Sequence, residues 1–141
     1  MDAVGGGGSV KYLDSDVLIY WATDHPKHGD AATKIVKHIE VNEKACTSSL
    51  ALYLFHLTLD RNGAGEYDVA KFLKEIARLR NLKVIPVDLE VMERGARAAK
   101  TFAVSLETGI QYVVAKDRGA EAVYSTNAEF DKTDLPRRFK P

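Results

Sequence analysis

The stretch Val10-Lys11-Tyr12-Leu13-Asp14-Ser15-Asp16-Val17-Leu18-Ile19-Tyr20-Trp21 decides how the rest of the chain is read. Its β-branched and aromatic residues predict a short strand, or a strand passing into a helix, buried on most sides. Two carboxylates, Asp14 and Asp16, stand in the middle of it with one serine between them. A free carboxylate in apolar surroundings is costly unless it is paired, hydrogen-bonded or bound to a metal. The flanking apolar residues therefore put the two acids at the mouth of a cleft.

Working outward, the opening strand covers about Lys11 to Asp14, and Ile19-Tyr20-Trp21 continue as a short helix that stops before Asp24-His25-Pro26. His25 and His28 have the spacing of a metal pair, but they flank a proline turn and read as a solvated loop. A helix is expected from Gly29 through about Glu40, with Asp30 a candidate N-cap and Ala31, Ala32, Ile35, Val36 and Ile39 recurring at helical spacing. Ala45 to Thr47 is a brief strand. Ser48 or Ser49 then caps Leu50 to Leu59, a helix apolar on almost all sides and so expected at the centre of the fold. It ends at the run Asp60-Arg61-Asn62-Gly63-Ala64-Gly65.

Glu66 to Leu79 is an amphipathic helix with Val69, Phe72, Leu73, Ile76 and Leu79 inward. Leu82 to Val87 is a strand. Asp88 caps a helix through about Lys100, with Val91, Met92, Gly95, Ala96 and Ala99 inward. Another helix runs from about Ser105 to Arg118 and stops at Gly119. Ala122 to Ser125 is a buried strand, followed by the polar turn Thr126-Asn127-Ala128-Glu129. The basic tail from Pro136 is either an edge strand or free.

Strands alternating with helices in this rhythm define an α/β protein with a mainly parallel sheet. Sites in such open sheets lie outside the carboxyl ends of the strands. Two polar turns fall there, Asp14-Ser15-Asp16 and Ser125 to Glu129. If their strands are neighbours, oxygen-bearing side chains from both converge.

The totals narrow the function. The chain has 141 residues, enough for one domain with its own core. Residues 10–141 are taken as that domain. The glycine-rich residues 1–9 are expected to be a flexible arm. Twenty basic and twenty acidic residues cancel, so nucleic acid would have to be held by a local patch. Candidates are Arg61, Lys71, Arg78 and Arg80, or Arg137, Arg138 and Lys140. Cys46 is the single cysteine; it excludes an intramolecular disulfide and reads as a buried structural thiol. No run has the length of a membrane span and no signal peptide is evident, so the cytoplasm is the expected compartment and no membrane partner is expected.

The motifs together resemble the PIN domain family, whose bacterial and archaeal members include VapC-type toxin ribonucleases. Tyr12 to Ile19 is similar to the family's opening strand, with Asp14 at its first acid. Thr47-Ser48-Ser49-Leu50-Ala51-Leu52 resembles the serine-led start of its central helix, and Val84 to Asp88 its third strand. Ser105 to Gln111 and Ser125 to Phe130 resemble the last two motifs, and the likeness spans about Val10 to Leu135. It implies a three-layer sandwich with a central, mainly parallel sheet of four or five strands flanked by helices. It also implies clustered carboxylates that hold Mg²⁺ or Mn²⁺ and hydrolyse single-stranded RNA.

The sequence departs from that pattern at two positions. Leu54 stands where the family has a glutamate, and Thr108 where it has an aspartate. The resemblance leaves Asp14, Asp16 and Glu129 as catalytic candidates. The same three with Glu107 are the candidate metal ligands, and Ser15, Ser125 and Asn127 the candidate substrate contacts. Glu107 also reads as a solvated acid at a helix N-terminus. His56 reads as packing or interface, and Leu54 as core.

Two functions remain in view. One is a Mg²⁺- or Mn²⁺-dependent endoribonuclease that is the toxin of a toxin–antitoxin module. The other is a non-catalytic PIN domain whose metal site has decayed and which binds RNA or protein. The resemblance further implies a homodimer and an antitoxin partner, for which Tyr53, Phe55 and Leu57 offer an apolar surface. A receiver-like phosphoacceptor domain would need a lysine at a strand end opposite the acids, and no such residue is evident.

Overall fold

The computed structural model describes residues 9–61 and 68–141. The flexible arm expected at residues 1–9 lies, apart from Ser9, outside the described residues. So do the glycine-rich stop at residues 62–65 and the expected helix start at Glu66.

The described chain runs β1 (Val10–Leu13), α1 (Ser15–Thr23), α2 (Gly29–Asn42), β2 (Lys44–Ser48), α3 (Ser49–Arg61) and α4 (Val69–Ala77). It continues as β3 (Leu82–Ile85), α5 (Leu89–Phe102), α6 (Leu106–Asp117), β4 (Ala120–Tyr124), a 3-10 turn (Ala128–Lys132) and β5 (Arg137–Arg138). The strands form one sheet in the order β3-β2-β1-β4-β5. Every pairing is parallel. The basic tail therefore supplies an edge strand.

The strand order explains the site. β1 is central, and β4, which arrives about a hundred residues later, pairs directly beside it, with Leu13 opposite Tyr124. The residues that follow the two strands, Asp14 and Ser125, are thereby set side by side. Thr47 ties the third neighbour to the same end, its hydroxyl donating to the Leu13 carbonyl at 2.7 Å.

Both faces of the sheet are covered. One apolar cluster packs Leu13, Ile35, Ile39, Phe55, Phe72 and Ile76 beneath α1 to α4. The other packs Tyr12, Cys46, Ile110, Val114, Val123 and Phe130 beneath α6 and the 3-10 turn. Alternation along a strand does this: Tyr12 and Leu13 point to opposite faces. Cys46 is buried in the second cluster, the structural thiol expected of it.

Several local expectations need correction. The first helix begins at Ser15, directly after the strand, rather than near Ile19, because Asp14 itself is the N-cap. The second begins at Gly29 as expected, but Asp30 lies inside the helix rather than at its N-cap, where His28 makes no side-chain capping bond. Of the two serines expected to cap the third helix, Ser48 is the one that does, accepting from the Ala51 N–H at 3.1 Å. That helix is not buried all round: Ala51, Phe55 and Leu59 face the core, while Tyr53 is 59% exposed and Leu54 is half-buried. An apolar composition set its placement too deep, because the described residues cover the far face only in part. Leu73 and Met92, read as inward, are 41% and 44% exposed.

Helices α5 and α6 approach closely through two glycines. A Cβ on Gly109 would strike the Gly95 carbonyl oxygen and lie 2.9 Å from the Ala99 nitrogen. A Cβ on Gly95 would lie 2.7 Å from the Ile110 Cα. Gly95 was expected inward, and this contact is the reason.

Candidate active site

Asp14 and Asp16 project from the end of β1 and the first turn of α1. Asp14 is 4% exposed. One carboxylate oxygen caps α1, accepting from the Ser15 N–H at 2.6 Å. The other accepts from the Ser125 hydroxyl at 2.7 Å. Burial pushes the Asp14 carboxyl up to about 6, and the charge of Asp16 adds to the rise. The Ser125 hydroxyl and the Ser15 N–H pull it partly back. Desolvation of this kind is characteristic of working carboxylates, although structural networks produce it too.

Asp16 reaches across to the turn after β4. Its Oδ2 accepts from the Thr126 N–H at 2.7 Å and the Thr126 hydroxyl at 2.6 Å. Its Oδ1 is buried and has no hydrogen-bond partner among the described residues. Burial raises this carboxyl as well, with the Thr126 bonds opposing. A buried, unpaired carboxylate oxygen beside a second desolvated acid is a strong local demand for positive charge.

Beneath the acids lies a fully buried layer. The Tyr12 hydroxyl is 2.8 Å from the Ser48 hydroxyl and donates to Gln111 Oε1 at 3.0 Å. Gln111 in turn stabilises the charged form of Asp14. The layer locks the end of β1 to β2 and α6, so the acid pair sits on a rigid base.

Glu129 is placed differently. It accepts from the Thr108 hydroxyl at 2.6 Å, the Ser105 hydroxyl at 2.8 Å and the Ser105 N–H at 3.1 Å. These bonds, Thr108 foremost, hold its carboxyl below the usual range. Asn127 links the two groups. Its Nδ2 donates to Thr108 Oγ1 at 3.3 Å, and its backbone N–H donates to the Ser125 hydroxyl at 2.8 Å. Ser125 therefore joins Asp14 on one side and Asn127 on the other.

The sequence-derived set is thus gathered in part. Asp14, Asp16, Ser125 and Asn127 form one hydrogen-bonded group, with Ser15 at its edge and Glu129 reached through Thr108. Glu107 is exposed in the first turn of α6 and has no hydrogen-bond or ion-pair partner among the described residues. Among those residues no three His, Cys, Asp or Glu side chains converge in a way that would hold a metal ion. The four-carboxylate set Asp14, Asp16, Glu107 and Glu129 is not assembled. Ser125 and Asn127 spend their polar atoms on the acids and the turn, so they position the pair in this arrangement. Thr126, Gln111, Tyr12 and Ser105 were not singled out from sequence, since their roles depend on the β1–β4 pairing and the seating of α6.

His25 and His28 lie in the loop between α1 and α2, beside exposed Pro26 and Lys27, but are themselves half-buried by ring packing. Their rings stack at 5.3 Å and pack on Tyr20, at 4.8 and 4.7 Å between centroids.

A parallel α/β sheet with an acid pair after its central strand, held by the turn after the neighbouring strand, defines a class of open-sheet sites, and comparison with known proteins identifies the family. The PIN domain family model matches residues 11–135, and the chain belongs to the PIN domain family. Among solved structures, a Mycobacterium tuberculosis toxin, VapC20, described as cleaving the sarcin–ricin loop, is 14% identical with a TM-score of 0.67, the match covering 89% of this chain and 98% of that one. VapBC2 from Rickettsia felis, bound to a promoter DNA fragment, is 14% identical with a TM-score of 0.66, covering 92% and 97%. A toxin–antitoxin complex from Klebsiella pneumoniae is 12% identical with a TM-score of 0.61, covering 85% and 89%. At these identities the likeness is one of fold. No curated protein matches the chain. Among the described residues no helix is long and apolar enough to cross a membrane.

Proposed function

We propose that this PIN domain is a divalent-metal-dependent endoribonuclease acting on single-stranded RNA, the toxin of a toxin–antitoxin pair. The observation that carries the reading is the Asp14–Asp16 pair after β1, Asp14 buried and the Asp16 Oδ1 atom buried and unpartnered among the described residues. The family and the VapC-type fold of its neighbours agree with it.

The residues fit a hard divalent cation at a minimal level. Asp14 and Asp16 supply two carboxylates, and Mg²⁺ is commonly bound by one or two of these together with waters and substrate phosphates. Mn²⁺ accepts the same oxygen ligands. When bound, such an ion supplies an activated water and positive charge beside the phosphodiester oxygens. The chain's own part is to hold the two carboxylates in register on the Tyr12–Gln111–Ser48 layer, with Ser125 and Thr126 fixing their orientation. Glu129, held ionised by Thr108 and Ser105, adds negative charge at the flank.

An antitoxin partner is part of this proposal, supported by solved neighbours that are toxin–antitoxin complexes. The half-covered outer face of α3 around Tyr53 and Leu57 is the surface offered to it or to a second copy. Phe55 is buried and takes no part. A cytoplasmic setting, where thiols stay reduced, suits the lone buried Cys46.

One observation favours the binding-only alternative: Glu129 is tied to Thr108, where a second carboxylate would otherwise stand. The deciding experiment is RNA cleavage with Mn²⁺, comparing the protein with Asp14→Asn. Cleavage lost in the variant supports the nuclease. Cleavage equal in both would assign it to another site or a contaminant, and no cleavage in either would leave RNA or protein binding as the function.

A further inference from the structure

The opposite rim of the sheet holds a second candidate site. At the amino ends of β2 and β3 a cavity of about 480 Å³ is ringed by Lys44, Arg80, Lys83 and Arg118, over a floor that includes Cys46 and Leu82. β2 runs from Lys44 to Ser48. At roughly 3.3 Å per residue, about 13 Å of strand separates this cavity from the layer under Asp14.

All four cations are exposed, and none has an ion-pair partner among the described residues. The acids beside them in sequence are already engaged. Glu43, next to Lys44, is held by Lys11 at 2.9 Å. Asp117, next to Arg118, is held by Arg94 at 2.6 Å. No carboxylate lines the cavity among the described residues. The chain as a whole is neutral, so this is a local concentration of positive charge. The carboxyl end of α6 brings roughly half a negative charge to the same rim, small against four full positive ones.

Guanidinium and ammonium groups lining one concavity match the anionic oxygens of phosphate. The volume falls within the range of about 300–1,000 Å³ typical of small-molecule pockets. The apolar floor offers a surface for a base. We infer that this cavity binds the phosphate groups of a nucleotide, either free or as one unit of an RNA chain. The site is separate from the acid pair and does not depend on catalysis there.

The test is binding of ADP, inorganic sulfate and a five-residue oligouridylate to the full chain at low salt, read by calorimetry and by amide shifts. Amide shifts of Lys44 to Cys46, Leu82 and Lys83 on adding ADP are expected. Arg80→Glu combined with Lys83→Glu should weaken ADP at least tenfold while leaving the melting temperature within a few degrees. Asp14→Asn should bind ADP as the parent does. The oligouridylate binding more tightly than ADP would identify the ligand as an RNA chain, and equal or weaker binding a free nucleotide. Sulfate binding as well as ADP, shifts confined to Asp14, Asp16 and Thr126, or unchanged affinity in the double variant would each overturn the inference.

Discussion

The Thr108 hydroxyl donates to Glu129 Oε1 at 2.6 Å. Thr108, which the resemblance sets at the position of a family aspartate, is thus the hydrogen-bond partner of Glu129. At this corner the anionic carboxylate is satisfied by a neutral hydroxyl rather than faced by a second carboxylate. In the absence of a cation that pairing favours the fold, and it leaves Asp14 and Asp16 as the remaining desolvated pair.

Restoring the acid should reverse the balance. Thr108→Asp sets a carboxylate against Glu129 and removes a charge-assisted bond, a loss of about 1.5–3 kcal/mol. In EDTA at neutral pH the variant should melt several degrees lower, and Mn²⁺ should raise its melting temperature more than the parent's. Thr108→Val, which loses the bond without adding charge, should be destabilised but show no larger response to Mn²⁺ than the parent. Equal responses to Mn²⁺ in the parent and the Thr108→Asp variant would show that this position does not face the ion.

Asp14 gives the metal-free protein a defined pH dependence. Its carboxyl is raised from 3.8 to about 6 in the folded state. A raised carboxyl favours folding fully below the unfolded value and loses that contribution as pH climbs through about 6. Ionised Asp14 therefore costs the fold up to about 3 kcal/mol at neutral pH, at 1.36 kcal/mol per pH unit. Asp14→Asn keeps the cap and removes the charge. Urea unfolding in EDTA should find the variant more stable than the parent at pH 7.5, with the gap closing by about pH 4. A constant gap across that range would place the cost elsewhere.

A cation should relieve the same cost. Saturation at 100 times the dissociation constant adds about 2.7 kcal/mol of stability. Millimolar Mg²⁺ or Mn²⁺ should raise the parent's melting temperature by several degrees and leave Asp14→Asn unmoved. An unshifted parent would remove the metal, and with it the nuclease.

The glycine contact between α5 and α6 carries a purely structural expectation. Gly109→Ala forces a methyl against Gly95 and Ala99, which are backbone neighbours that cannot step aside cheaply. Overpacking of this kind costs about 1–3 kcal/mol. Because Thr108 precedes Gly109, the shift should also loosen the Thr108–Glu129 bond, read as faster hydrogen exchange at Ser105 and Thr108.

Much of the architecture was legible in the sequence because its signals are local. The strand through Tyr12 and Leu13, the cap at Asp88, the helix start near Ser105, and the stop at Gly119, whose φ is +71°, each need only a few neighbours to interpret. The polar turns at Asp14 and Ser125 were legible as strand ends, and their adjacency follows from the parallel order. What stayed hidden depends on contacts between distant elements. Thr126 binds Asp16 across 110 positions, and Gln111 meets Tyr12 across 99. The outer face of α3 misled for the opposite reason. Leu54, Tyr53 and Leu57 have core composition, and only the completed fold shows Tyr53 exposed and the two leucines half-covered.

The central place of β1 has a consequence for biosynthesis. Asp14 is made early, but its partner Ser125 is separated from it by 111 positions of chain. Until β4 has been synthesised and has slotted in beside β1, the two acids have neither Ser125 nor Thr126 to orient them. A nascent chain still on the ribosome, surrounded by RNA, thus lacks an assembled acid pocket until translation of the domain is nearly done.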